Sequence, residues 1–411
     1  MTKYNLPDKN IPRVAPKAYD YVKQVLDFGF HNAHSIGITA RLEKEFAEKF
    51  GKRFGITHCN GTATMQTALL AGDVGVGDEV IVPTFTVFST AAVAFHVNAI
   101  PVIADVHPKT WTLDIEDVKR KLTPNTKAII PVAISGLMCD MDEIMKLAQE
   151  HNLLVIEDNA QAIMSYYKGK ISGSIGHFAS FSFQASKTLT CGDGGILICD
   201  DEQLALNARR AATIGFKDIS VKPGDTVVSE ELRCMPNYQR HCQIGWNQRL
   251  PEIASAVALA ELERIEELTE LRILCAQAYE QVIKDFDWIK AQEIPEGYKS
   301  SYWNYPIRIM RDDIEWIQFL RKFKELGGDG FYGAYLPLHL EPVFANLNRA
   351  VDKNPKRYPQ YANKLPRYEK GYCPTWESIQ PQIAMLKTNY WNTDDICKQA
   401  DLLAETFRYF N

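Results

Sequence analysis

Between residues 60 and 200 the chain alternates short β-branched or apolar runs with helical stretches, and Gly, Pro or Asp punctuates each run. No other feature constrains the fold as strongly. Strands joined by crossover helices pair in parallel, and the sheet they form must be covered on both faces. Glu79 to Val82, Pro101 to Asp105, Ala128 to Ala133, Leu153 to Asp158, Phe178 to Phe183 and Gly195 to Cys199 read as strands. Most are continuously apolar, as strands buried on both faces are. Crossover helices are expected over Thr62 to Leu70, Phe88 to Val97, Ile115 to Lys121 and Met141 to His151. Residues 216–246 have weak periodicity and read as a long loop of the functional or disordered kind. From Pro251 to about Phe286 a helical period predicts one long helix, with a kink allowed, leaving the large domain. Beyond Trp288 a strand over Tyr302 to Met310, a helix over Ile314 to Leu326 and a last helix over Asp395 to Phe410 suit a smaller α+β domain, and residues 345–375 show no clear period. The expected fold class is α/β, with a mainly parallel sheet flanked by helices and a smaller α+β C-terminal domain.

With 411 residues there is room for two or three lobes and a large core. The 46 basic and 51 acidic side chains leave a net charge of −5, small and of the wrong sign for a phosphate-backbone binder, so no nucleic-acid partner is expected. The start has no signal-peptide core, and the most apolar window, Ser89 to Val106, is broken by His96, Asn98, Pro101 and Asp105. No membrane span is expected, and the cytoplasm is the expected compartment. Nine cysteines without a CxxC pair read as reduced thiols. His31 and His34 read as ordinary polar residues, and no metal site is expected.

Three segments carry chemistry. The first is Cys59-Asn60-Gly61-Thr62-Ala63-Thr64, a small-residue turn into a helix. Its N–H groups and partial positive charge suit a phosphate, and Gly61 would let it approach closely, although a capped helix without a ligand has the same sequence. In the second, an apolar strand ends in Asp158, placing a carboxylate at the sheet edge where open α/β sheets bind ligands. A helix cap or a magnesium carboxylate would look alike. In the third, Lys187 lies between a buried strand and the turn Gly192-Asp193-Gly194-Gly195, a setting that would desolvate its amine and lower its pKa toward nucleophilic use. Together a helix N-terminus, a carboxylate and a lysine suit pyridoxal 5′-phosphate.

With these motifs, the sequence resembles the sugar aminotransferases of the DegT/StrS type within the aspartate aminotransferase fold. The marks are NGTAT at 60–64, GDEVIVPTFT at 77–86, IEDNAQA at 156–162, FSFQASKTLTCGDGG at 181–195, GWNQRLPEIASA at 245–256 and YLPLHLEPVF at 335–344. The resemblance implies a large domain with a seven-stranded sheet. It makes Lys187 the Schiff-base lysine, Asp158 the partner of the pyridine nitrogen and Gln161 a contact to the phenolic oxygen. Gly61, Thr62 and Ser182 would hold the phosphate, and Asn247 would complete that site from the neighbouring subunit of a homodimer. Arg249 and His339 match positions on the substrate side of the cleft. Val87, flanked by Phe85 and Phe88, stands where many relatives carry the aromatic that stacks on the cofactor ring. The FSFQASK segment looks closest to members acting on keto-cyclitols, aminoshikimate-type intermediates or free sugars.

The expected activity is transfer of an amino group from L-glutamate or L-glutamine to a keto-sugar or related polyhydroxy carbonyl compound, in amino-sugar biosynthesis of the lipopolysaccharide or antibiotic type. The loop with Arg233, Arg240 and His241 is the candidate for acceptor recognition, with a solvated basic loop as the plain alternative. A dehydratase of the same family would carry histidine in place of Lys187, and a non-catalytic regulator that binds the cofactor or a sugar is the other rival. The expected division is an arm over 1–36, a cofactor-binding domain over 37–250, a linking helix over 251–286 and a small domain over 287–411.

Overall fold

A computed structural model describes residues 4–30 and 37–411; His31 and His34 lie outside the described residues. The dominant layer is a seven-stranded sheet in the order Phe54–His58, Gly195–Cys199, Phe178–Ser182, Leu154–Asp158, Thr126–Ile129, Glu79–Pro83 and Ile100–Ala104. From Phe178–Ser182 outward through Ile100–Ala104 every pairing is parallel. Gly195–Cys199 is antiparallel to both of its neighbours. Two antiparallel pairings in succession restore direction, so Phe54–His58 ends at the same edge as Phe178–Ser182 and Leu154–Asp158. The carboxyl ends of these three strands, and the start of Gly195–Cys199, therefore converge.

The crossover helices form because apolar and small residues face the sheet while short polar side chains cap the ends. Asn60, Asp140 and Asp201 accept hydrogen bonds from backbone N–H groups of the helices Gly61–Ala71, Met141–His151 and Glu202–Ala212. The first is buried along nearly its whole length, with Ala68 and Leu69 packed among Ile56, Val80, Val82 and Ile156 beneath the sheet.

The expected linking helix is two helices, Glu252–Leu262 and Ile265–Ile283, separated where Arg264 leaves helical geometry at φ −121°. Residues 4–27 are bound to this region: the Ala15 N–H donates to Glu261 Oε1 at 2.8 Å and the Tyr21 hydroxyl to Glu263 Oε1 at 2.6 Å. A second sheet, antiparallel throughout, takes Ile289–Ala291, Asn304–Ile309, Ile383–Lys387 and Phe331–Gly333 in that order. The helices Trp316–Glu325 and Thr393–Phe410 share its core, where the Phe319 and Phe407 rings stack with centroids 5.5 Å apart. Between the sheets, Tyr166–Tyr167, Lys170–Ile171 and Tyr298–Lys299 make a small ribbon that carries residues 300–303 against the large sheet. All nine cysteines are free, and no helix among the described residues is long and apolar enough to cross a membrane.

Candidate active site

The three chemical segments meet in one cleft of about 470 Å³. Its lining includes Gly61, Thr62, Val87, Asp158, Gln161, Ser182 and Lys187, which the topology gathers from the carboxyl ends of Phe54–His58, Glu79–Pro83, Leu154–Asp158 and Phe178–Ser182 and the loops beyond them.

At the floor of one end, Gly61 opens its helix against Ser182. A Cβ on Gly61 would lie 2.8 Å from Ser182 Cβ, so only glycine leaves this space open. Thr64 Oγ1 donates to the Gly61 carbonyl at 2.6 Å and lies 2.5 Å from Ser180 Oγ, tying the helix start to the strand. First-turn N–H groups with no intrahelical acceptor, beside a serine hydroxyl, form a receptor for a dianion.

Asp158 closes the central strand and is buried. Its Oδ2 accepts from the Thr90 hydroxyl at 3.0 Å and its Oδ1 from the Ala160 N–H at 3.1 Å. Burial pushes the carboxyl above its ordinary range, while the Ala160 N–H, the Lys187 charge and the Thr90 hydroxyl pull it down. A buried carboxylate with donors to each oxygen is a site for a cationic N–H. Gln161 is oriented by its carbonyl, which accepts from the Ser135 N–H at 2.8 Å. Its amide N–H groups are thereby aimed elsewhere as donors.

Lys187 is half-buried, in a loop closed by its own N–H to the Gln184 carbonyl (2.8 Å) and by the Cys191 N–H to Phe183 (3.0 Å). Burial pushes its amine down to about 8, with Asp158 opposing the fall and Arg272 reinforcing it. A lysine in this range holds a far larger neutral fraction near physiological pH than an ordinary lysine does, and that fraction can attack a carbonyl or accept a proton.

The remaining expected residues lie elsewhere in this chain. His339 does not face the cleft: it is buried, with Nε2 2.8 Å from Glu377 Oε1 and Nδ1 3.3 Å from Thr84 Oγ1, and links two loops. Arg249 lines a separate small cavity with Thr57 and Arg209. Arg240 is exposed and donates to the Arg233 carbonyl at 3.1 Å, and His241 is exposed and stacked on Phe216 at 5.1 Å. The 216–246 segment thus stays outside this chain's own cleft. It folds back on the helices Ile38–Lys49 and Glu202–Ala212, for example through the Gly224 N–H to Glu43 Oε2 at 2.7 Å. Asn247 is exposed and outside the cleft as well.

Nor do the phenylalanines beside Val87 cover the cleft. Phe85 is buried and stacked on Trp376 at 4.0 Å, and Phe88 meets the edge of Phe344 at 5.9 Å. The aromatic walls are Trp303 and Tyr335, neither expected from the sequence. Tyr335 begins the YLPLH motif and was visible there; Trp303 carries no local signal.

An α/β sheet that presents a softened lysine, a buried carboxylate and an anion cup in one cleft defines an enzyme of the lysine-centred aminotransferase class. The chain belongs to the DegT/DnrJ/EryC1/StrS aminotransferase family, whose model matches residues 15–370. It is 33% identical over 347 residues to the GDP-perosamine synthase of Caulobacter vibrioides, covering 82% of this chain and 86% of that protein. Among solved structures it is similar to an aminotransferase from Psychrobacter cryohalolentis, with a TM-score of 0.83, 26% identity and 98% of each chain covered. It is also similar to S. venezuelae DesV, solved in complex with a ketimine intermediate, with a TM-score of 0.79, 26% identity and 94% and 93% of the two chains covered.

Proposed function

We propose that this enzyme transfers an amino group from L-glutamate or L-glutamine to a keto-sugar or related polyhydroxy carbonyl compound, in amino-sugar biosynthesis, with pyridoxal 5′-phosphate as cofactor. The observation that carries this reading is the placement of Lys187 and Asp158 in one cleft whose far end is kept open by the Gly61–Ser182 approach. The residues present fit that cofactor. Gly61, Thr62 and Ser182 would take the phosphate, Gln161 an amide contact to the phenolic oxygen and Asp158 the ring N–H, with Val87 against the ring. When bound, the cofactor would supply an electron sink for negative charge developing at the amine-bearing carbon.

The rest is the work of the chain's own groups. Asp158, buried and supplied with donors by Thr90 and Ala160, would accept from the cofactor's ring N–H and so favour the protonated ring. Lys187 Nζ, with its pKa near 8, takes a proton from the substrate carbon and returns it on the other side of the transfer. One cleft must accept donor and acceptor in turn, so the cycle is ping-pong. A dehydratase of the same family would lack Lys187. The relative named for GDP-perosamine synthesis supports a sugar acceptor, whereas the FSFQASK segment favours a free sugar or cyclitol. A homodimer in the cytoplasm is part of the reading, with Asn247 of each subunit, and residues such as Arg240, His241 and Arg249, available to the neighbour's site. The division into arm, large domain, linking helix and small domain belongs to it too.

The experiment is to convert the loaded protein with L-glutamate or L-glutamine and screen keto-sugars and keto-cyclitols for return of the aldehyde-form spectrum. Return with such an acceptor supports the reading; a spectrum that no amino donor changes would end it.

A further inference from the structure

Trp303 is held in place at its backbone and at its ring. Its carbonyl accepts from Arg272 Nη1 at 2.6 Å and its indole N–H donates to the Ser186 carbonyl at 2.8 Å. Thr388, fully buried, accepts from the same Arg272 nitrogen at 3.0 Å and donates to the Tyr302 carbonyl at 2.6 Å. Tyr302 itself sits at φ +49°, a conformation that a bulky residue keeps only where its surroundings over-determine it. The crowding is visible at Gly136, where a Cβ would lie 2.5 Å from the Tyr302 N. The result of this clamping is that the Lys187 amine lies over the indole, 4.7 Å from the ring centroid.

Arg272 is unusual in its own right. It is buried in the long helix Ile265–Ile283, its hydrogen bonds go to the Trp303 carbonyl and the Thr388 hydroxyl, both neutral, and burial pushes its guanidinium down to about 10. Among the described residues it has no carboxylate partner, and a buried cation left so is costly and points to function. It shares a cavity of about 50 Å³ with Ser186, Lys187 and Tyr390, separate from the main cleft that Ser186 and Lys187 also line. The lysine therefore shares the main cleft with Asp158 and Asp193, has the Trp303 ring against its amine, and shares the smaller cavity with Arg272 and Tyr390.

We propose that Trp303, fixed by Arg272, is a positioning residue for Lys187 and supplies the aromatic wall of the cleft that Val87 does not. The clamp on the Ser186 carbonyl fixes the backbone next to the lysine, and the ring confines the amine to one arc between the cofactor side and the substrate carbon. Arg272 adds a like charge that favours the neutral amine. This rests on Lys187 being the reactive amine of the proposed aminotransferase.

The test uses the full-length protein. Trp303→Leu removes the indole, and Trp303→Phe keeps a ring without the N–H. In single-turnover reaction with whichever of L-glutamate and L-glutamine the wild type uses, Trp303→Leu should slow the saturated rate about tenfold or more, because small displacements of a reacting group cost rate. Its half-saturating concentration should move less than about threefold, and Trp303→Phe should fall between. An unchanged saturated rate, or an effect confined to half-saturation, overturns the positioning role. If Trp303→Leu does not fold, Arg272→Lys and Arg272→Gln carry the test: the second should show the tenfold loss, and the first, which keeps a donor at this place, should lose less. Trace acylation of Lys187 in the cofactor-free protein should also titrate at higher pH in Arg272→Gln than in wild type, with Arg272→Lys restoring it. A wild-type midpoint in Arg272→Gln overturns the role of Arg272. The acylation arm needs neither donor nor acceptor. A protein that fails every transamination assay but shows the shift would count against the proposed function and for this inference.

Discussion

Asp158 is a residue whose charge works against the fold until something cationic meets it. Its carboxyl is pushed up by burial, so the stability it contributes is present below the ordinary carboxylate pKa and is lost as pH rises through the raised value. Near neutral pH the cofactor-free protein therefore carries a penalty. Asp158→Asn removes the titrating group, so the Tm of the cofactor-free variant should fall less than that of the wild type as pH rises from the acid range toward neutrality. The same change should slow the amino-donor half-reaction by about tenfold or more while cofactor binding falls less. A variant whose Tm keeps the wild-type dependence on pH, or that reacts at full rate, would contradict this account. Lys187 has the opposite sign: with its amine lowered to about 8, trace acylation in the cofactor-free protein should reach half its maximum near pH 8 rather than near the ordinary lysine value of 10.5. Both residues were legible in the sequence because a strand end and its functional side chain are contiguous there. Trp303 was not, because it reaches the cleft only through the packing of residues 300–303 on Gly136 and Arg272.

At the level of elements, the anion cup depends on how closely one helix start approaches one strand end. Gly61→Ala would put a methyl group 2.8 Å from Ser182 Cβ, and neither the buried helix nor the buried strand can retreat freely. The substitution should cost about 1–3 kcal/mol of stability and weaken cofactor binding about tenfold or more, measured by cofactor titration against intact secondary structure. Normal cofactor affinity in Gly61→Ala would mean that the phosphate is held elsewhere. The elements the sequence revealed are those with an unbroken apolar run or a polar cap, such as Leu154–Asp158 and Met141–His151. Phe54–His58 escaped notice because its Gly, Thr and His dilute the apolar signal, although its interior is buried. The helix Pro342–Lys353 buries only Phe344 and Val351, one contact every two turns, which leaves no period to read. The break between Glu252–Leu262 and Ile265–Ile283 is a single backbone excursion at Arg264 that helical periodicity runs straight through.

The molecule as a whole presents apolar side chains that a solitary subunit would leave in water. Ile244 is 84% exposed, and Met235, Trp246 and Ile253 are exposed along the same stretch of chain as Asn247. A subunit interface would bury such side chains. If it forms the two-fold interface of the proposed dimer, the contact is isologous and each subunit offers its Asn247 to the other's phosphate site. Lys187→Ala and Asn247→Asp then damage different sites, the second by placing a negative charge beside the phosphate. A heterodimer of the two variants would hold one site carrying both defects and one intact site, and should recover up to about half of the activity of a wild-type dimer. The measurement is activity after mixing the two inactive proteins under conditions where subunit exchange is verified by differential tagging. Asn247→Asp must itself be severely impaired, which the same assay establishes before mixing. A chain that sediments as a monomer at micromolar concentration, or exchanged heterodimers that remain inactive, would show that each subunit completes its own phosphate site. The cleft chemistry of Lys187 and Asp158 would stand in either case, because every residue it requires lies within one chain.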